Sequence, residues 1–122
     1  MQIVLLRDEC GSGRTCPNIN STSRGSFIIQ GYVVPSEQRV LPQGEAMVEV
    51  PLSLIPELAS ASQREGLSFT DRGTVLLAGL EVVDEEALAT LALPAGETAV
   101  EIPREMLPEL ATMPELEAAD AA

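Results

Sequence analysis

The chain has 122 residues, 45% of them hydrophobic, which suffices for one domain with a modest core. Its formal net charge is −12, with nineteen Asp and Glu against seven Arg, and it contains neither Lys nor His. Such a balance repels nucleic-acid and membrane surfaces, and without His or Lys the usual nucleophile–base pairs cannot be assembled.

Gln2–Leu6 is a short β-branched and leucine run that predicts a first strand. It has no basic region before it, so it does not have the form of a signal peptide. No apolar stretch approaches the roughly 20 residues that span a bilayer. The expected location is the cytoplasm. Residues 8–22 (DECGSGRTCPNINST) are dense in Gly, Ser, Asn and Pro and predict a loop that carries both cysteines, Cys10 and Cys16.

From Arg24 the chain states one pattern twice. Residues 24–59 and 72–111 share 16 identities over the 36 positions of the first copy, with one four-residue gap. Arg24/Arg72, Gly31/Gly79, Glu49/Glu101, Pro51/Pro103 and the run 56–59/108–111 are among them. Each copy must then be one supersecondary unit packed on its twin. Phe27–Val34 and Val75–Val82 read as central strands. Gly31 and Gly79 sit in their middles, where glycine marks a bulge or a close backbone approach. Asp84–Leu91 predicts a short helix capped by Asp84, and the gap leaves copy one a single turn or tight loop there. Ala46–Val50 and Thr98–Ile102 alternate, with Glu49 and Glu101 on the wet face. Short helices are expected after Pro56 and Pro108. Residues 112–122 form an acidic tail.

The predicted architecture is a single α+β domain over residues 1–122: a tandem strand–short helix–strand–short helix unit, with a mainly antiparallel sheet and helices on one face. Aromatics are limited to Phe27, Phe69 and Tyr32, so the core is aliphatic, and a homodimer or higher oligomer would supplement it.

Candidate chemistry is sparse. Cys10 and Cys16 are too few for a zinc site within one chain. They read as free or redox-labile loop thiols, with a regulatory disulfide as the alternative. Glu49 and Glu101 could approach each other across a pseudo-twofold axis, but read first as solvated strand charges. Arg24 and Arg72 are expected to pair with a carboxylate of the opposite copy, such as Glu57 or Glu109, with binding of an external anion as the alternative. No catalytic, cofactor or metal residue is assigned.

The combination of cysteines before Arg24-Gly25, the apolar strand at Phe27–Val34 and the VEVP at 48–51 resembles small acidic actinobacterial proteins of the BldB-like kind. That resemblance implies a non-enzymatic, dimerising partner of a helix-turn-helix transcription regulator. The stretch from Val48 through Leu77, strand–Pro–helix–loop–strand, is similar to the swapped-hairpin fold of transition-state regulators and antitoxins. That second resemblance implies DNA binding, which the shortage of basic residues opposes.

Residues 73–122 carry eleven acidic residues against Arg104 alone. The expected function is therefore protein–protein contact with a basic partner. Met106, Leu107, Leu110, Met113, Glu115, Leu116 and Glu117 are the candidate docking residues, although Met106, Leu107 and Leu110 read first as packing on their own sheet. A swapped-hairpin DNA-binding module and a self-assembling structural subunit are the alternatives.

Overall fold

The computed structural model describes residues 1–9, 16–34 and 43–114. Its strands are β1 (Ile3–Asp8), β2 (Asn18–Thr22), β3 (Ser26–Val33), β4 (Glu45–Pro51), β5 (Leu67–Phe69), β6 (Thr74–Glu81) and β7 (Glu97–Pro103). One α-helix, α1 (Glu85–Leu91), lies between β6 and β7. The Asp84 carboxylate caps it by accepting from the Ala87 N–H at 3.0 Å. No helix among the described residues is long and apolar enough to cross a membrane.

All strand pairing is antiparallel, and most of it joins one repeat to the other. β3 pairs with β7 from Ser26↔Pro103 to Tyr32↔Glu97. β4 pairs with β6 from Glu45↔Leu80 to Pro51↔Thr74. Two shorter ladders join strands of one repeat, β3 with β4 through Tyr32↔Glu49 and β6 with β7 through Leu80↔Glu101. The four strands therefore close on themselves, β3–β4–β6–β7–β3, and the two halves match in register: Gln30 faces Ala99 as Ala78 faces Met47. A pseudo-twofold axis relates them. β1 and β2 extend the sheet beside β3, and β5 extends it beside β6.

Period-two alternation fills this ring. Phe27 and Ile29, Val48 and Val50, Val75 and Leu77, and Val100 and Ile102 all belong to one buried cluster. Leu54, Ile55, Leu58, Leu107 and Leu110 join it from the segments after β4 and β7. A second cluster lies under α1, where Ala87 and Leu91 meet Ile3, Ile28, Val82 and Ala99.

Gly31 and Gly79 stand where β3 crosses β4 and β6 crosses β7. A Cβ at position 31 would lie 2.8 Å from the Glu49 carbonyl oxygen, and one at 79 would lie 2.7 Å from that of Glu101. The crossings close only because both side chains are missing.

Two expectations need correction. The fold is not α+β with repeated short helices: among the described residues it is a mainly antiparallel β structure with one α-helix. The helices expected after Pro56 and Pro108 are single 3-10 turns, Pro56–Leu58 and Pro108–Leu110, each preceded by another such turn, Leu52–Leu54 and Arg104–Met106. Proline disfavours helical geometry in the residue before it. Ile55 (φ −131°, ψ 67°) and Leu107 (φ −124°, ψ 69°) accordingly break each segment after one turn. Residues 18–22, assigned to the cysteine loop, form the buried strand β2. Their polar composition suggested a loop, but the polar side chains find partners inside the protein, which removes the cost of burying them. The turn expected in copy one, like Cys10 and residues 115–122, lies outside the described residues.

Candidate functional site

The repeated arginines bind the repeated strand glutamates across the pseudo-twofold axis. Arg24 Nη2 donates to Glu101 Oε1 and Arg72 Nη2 donates to Glu49 Oε2, both at 2.9 Å. Ser26 Oγ and Thr74 Oγ1 donate to the same two carboxylates at 2.5 Å. Thr22 and Thr70 organise the turns: each hydroxyl oxygen accepts from the backbone N–H of Arg24 or Arg72 at 3.1 Å. The hydrogen bond from Thr74 and the one from Arg72 hold the Glu49 carboxyl below the usual glutamate range. An ion pair between the repeats was expected for these arginines; its acceptors are Glu101 and Glu49, and each glutamate meets an arginine, not the other glutamate.

Glu57 and Glu109 have other partners. Arg7 grips Glu57 with both terminal nitrogens, at 2.9 and 2.8 Å, and donates to the Leu54 carbonyl. Arg64 grips Glu109 in the same way, at 3.1 and 2.6 Å, and donates to the Met106 carbonyl. These bonds hold both carboxyls below their ordinary range. Arg7 faces Ile19 as Arg64 faces Leu67. The duplicated unit therefore begins upstream of Arg24, and the cysteine segment is an insertion in copy one. The Thr22/Thr70 identity just before the recognised repeat is the signal that would have extended it.

The candidate docking residues are mostly interior. Leu107 and Leu110 are buried in the central cluster, and Met106 and Met113 pack against it. Arg104 holds the end of this segment down: its Nη2 donates to the Met113 carbonyl at 2.5 Å while its guanidinium lies 4.3 Å from the Phe27 ring centroid. Glu115, Leu116 and Glu117 lie outside the described residues. Cys16 is disulfide-bonded, so the expectation of a free thiol does not hold for it. Among the described residues no three Asp, Glu or Cys side chains converge as a metal-binding group.

One break in the pseudo-symmetry, which sequence reasoning missed, shapes the surface. In the half around β2, Asn18, Asn20 and Gln30 are fully buried. They form a chain in which Asn20 Nδ2 donates to Asn18 Oδ1 (2.7 Å), Asn18 Nδ2 to Gln30 Oε1 (3.0 Å) and Gln30 Nε2 to Glu97 Oε1 (2.8 Å). By register, the other half places Ala78 where Gln30 stands and Glu45 where Glu97 stands, with Gly66 opposite Ala78 as the counterpart of Asn18. Small residues replace large ones, and a groove of about 1020 Å³ results. Its floor is Met47, Gly66, Ala78, Gly79, Ile102 and Met106, and its mouth carries Glu45, Glu65 and Glu105 together with the Arg24–Glu101 pair and exposed Leu80.

Neither a protein-family pattern, nor a curated protein, nor a solved structure matches the chain.

Proposed function

We propose that the protein is a non-enzymatic interaction module whose groove receives a basic segment of a protein partner, in the manner of a regulatory subunit. The observation that carries this reading is the composition of the groove: an apolar floor for aliphatic stems and a rim of carboxylates for positive heads. Glu45, Glu65 and Glu105 pair with no arginine among the described residues. The net charge of −12 steers a cationic partner toward such a rim.

The described arginines argue against direct DNA binding. Arg7, Arg24, Arg64 and Arg72 are each in an ion pair, and Arg104 is engaged with backbone carbonyls and Phe27. They form no free basic stripe for the phosphate contacts that dominate DNA affinity.

Fluorescence anisotropy with a labelled Lys/Arg-rich peptide tests the reading. Binding that weakens as salt rises, and weakens further in the Glu45→Gln, Glu65→Gln, Glu105→Gln triple variant, is expected. Equal affinity in the triple variant would remove the groove from the account.

A further inference from the structure

The filled half of the molecule is a template for what belongs in the open half. Where β2 and β3 meet β7, a planar side-chain nitrogen of Gln30 donates to Glu97, and the Gln30 and Asn18 side chains occupy the space beside it. In the open half the acceptor is retained as Glu45, but the donors are missing, because Ala78 and Gly66 stand in the positions of Gln30 and Asn18. The Met47 side chain, opposite Ala78, takes up part of the space and leaves an apolar floor.

Resting on the proposed interaction role, we infer that the groove takes an arginine side chain from the partner, its guanidinium donating to Glu45 as Gln30 donates to Glu97. A guanidinium is the cationic relative of a carboxamide: planar, with N–H donors in its plane, on an aliphatic stem that suits the Met47–Ala78–Met106 floor. A lysine ammonium is compact and strongly hydrated, and it fits a flat apolar slot less well. The two other carboxylates at the mouth, Glu65 and Glu105, add charge without adding a donor. The partner is a different protein, because a second copy of this chain would bring its own charge of −12 to the same rim.

The test is calorimetric titration of the intact chain with a blocked nonapeptide carrying one central arginine between two lysines, and with the same peptide carrying lysine or citrulline at the centre. Arginine is expected to bind about fivefold more tightly than citrulline, the upper range for an exposed ion pair, and more tightly than lysine, whose ammonium keeps the charge but not the planar donors. Ala78→Gln, which installs the residue of the filled half, is expected to abolish that preference. If Ala78→Gln does not fold, Glu45→Gln is expected to abolish it instead. Equal affinities for the three peptides, or an arginine preference that survives in the folded variant, would overturn the arginine assignment while leaving the interaction role standing. No binding of any peptide would overturn the role itself.

Discussion

Arg24 donates to Glu101 from the opposite repeat at 2.9 Å, and Arg72 repeats that bond with Glu49. This arginine–glutamate tie of the ring strands is made twice, each time between copies. Arg7–Glu57 and Arg64–Glu109 each lie within one copy, and the Gln30–Glu97 bond has no twin. Neither repeat alone can pair its long strand edges or satisfy its Glu49 or Glu101 carboxylate, so the two fold as one interleaved body. That body is also where copy-to-copy differences matter, since two small-for-large exchanges, Ala78 for Gln30 and Gly66 for Asn18, open one side.

The crossings set a steric limit. Gly31→Ala and Gly79→Ala would each place a methyl group under 3 Å from a backbone carbonyl, and main chain cannot yield as a flexible side chain can. We expect each to lower unfolding free energy by about 2 kcal/mol or more, in the range of overpacked cores. Gly31 and Gly79 should cost nearly the same because their surroundings are related by the pseudo-twofold axis. Urea unfolding curves check this, and a change under about 0.5 kcal/mol, typical of neutral surface substitutions, would contradict the tight crossing.

Leu110 distinguishes a core role from a docking role for the segment after β7. It is 1% exposed and belongs to the central cluster. Leu110→Ala should destabilise the fold by about 3 kcal/mol, with peptide affinity unchanged once the variant is folded. Chemical denaturation and anisotropy, run on the same preparation, separate the two roles.

Acid should weaken the ion pairs both between and within the repeats. Glu49 is held below the ordinary glutamate pKa by hydrogen bonds from Thr74 and Arg72, and Glu109 by those from Arg64. A depressed folded pKa contributes stability that is complete above the unfolded value, about 4.3, and is lost as pH falls through the folded value. The wild-type chain should therefore be more stable than Glu49→Gln or Glu109→Gln near neutral pH, and the difference should shrink below about pH 4. Comparing variants cancels the general relief of repulsion in a chain of charge −12. Urea midpoints from neutral pH downward test this, and a constant difference would contradict it.

Cys16 should resist alkylation until a reductant is added, because it is disulfide-bonded. Intact-mass spectrometry after iodoacetamide treatment, with and without prior reduction, reads this directly. Alkylation without reduction would show a free thiol. Structural disulfides persist in oxidising surroundings, so the result also bears on the expectation of a cytoplasmic location.

The strands at Phe27–Val34 and Val75–Val82 and the Asp84-capped helix were legible because each carries its own local signal: apolar runs, alternation, a capping carboxylate. Gly31 and Gly79 were legible as close approaches because duplication kept them. β2 was not, since Asn18, Asn20 and Ser21 have the composition of a loop and become a strand only through buried partners. The pairing of β3 with β7 and β4 with β6 was equally hidden, because an alternating strand fits either twin. The groove could not be foreseen without that register. The exchange of Gln30 for Ala78 is visible in the aligned repeats, but its meaning depends on Glu97 and Glu45 lying across the ladder.

The most direct test of the groove as the interaction site is a backbone amide NMR titration of the intact protein with a basic peptide. We predict peptide-dependent shifts concentrated at Gly66, Ala78, Gly79, Leu80 and Met106, with the filled half around Asn18 and Gln30 unmoved. Shifts confined to other surfaces, or no shifts where anisotropy reports binding, would contradict the account.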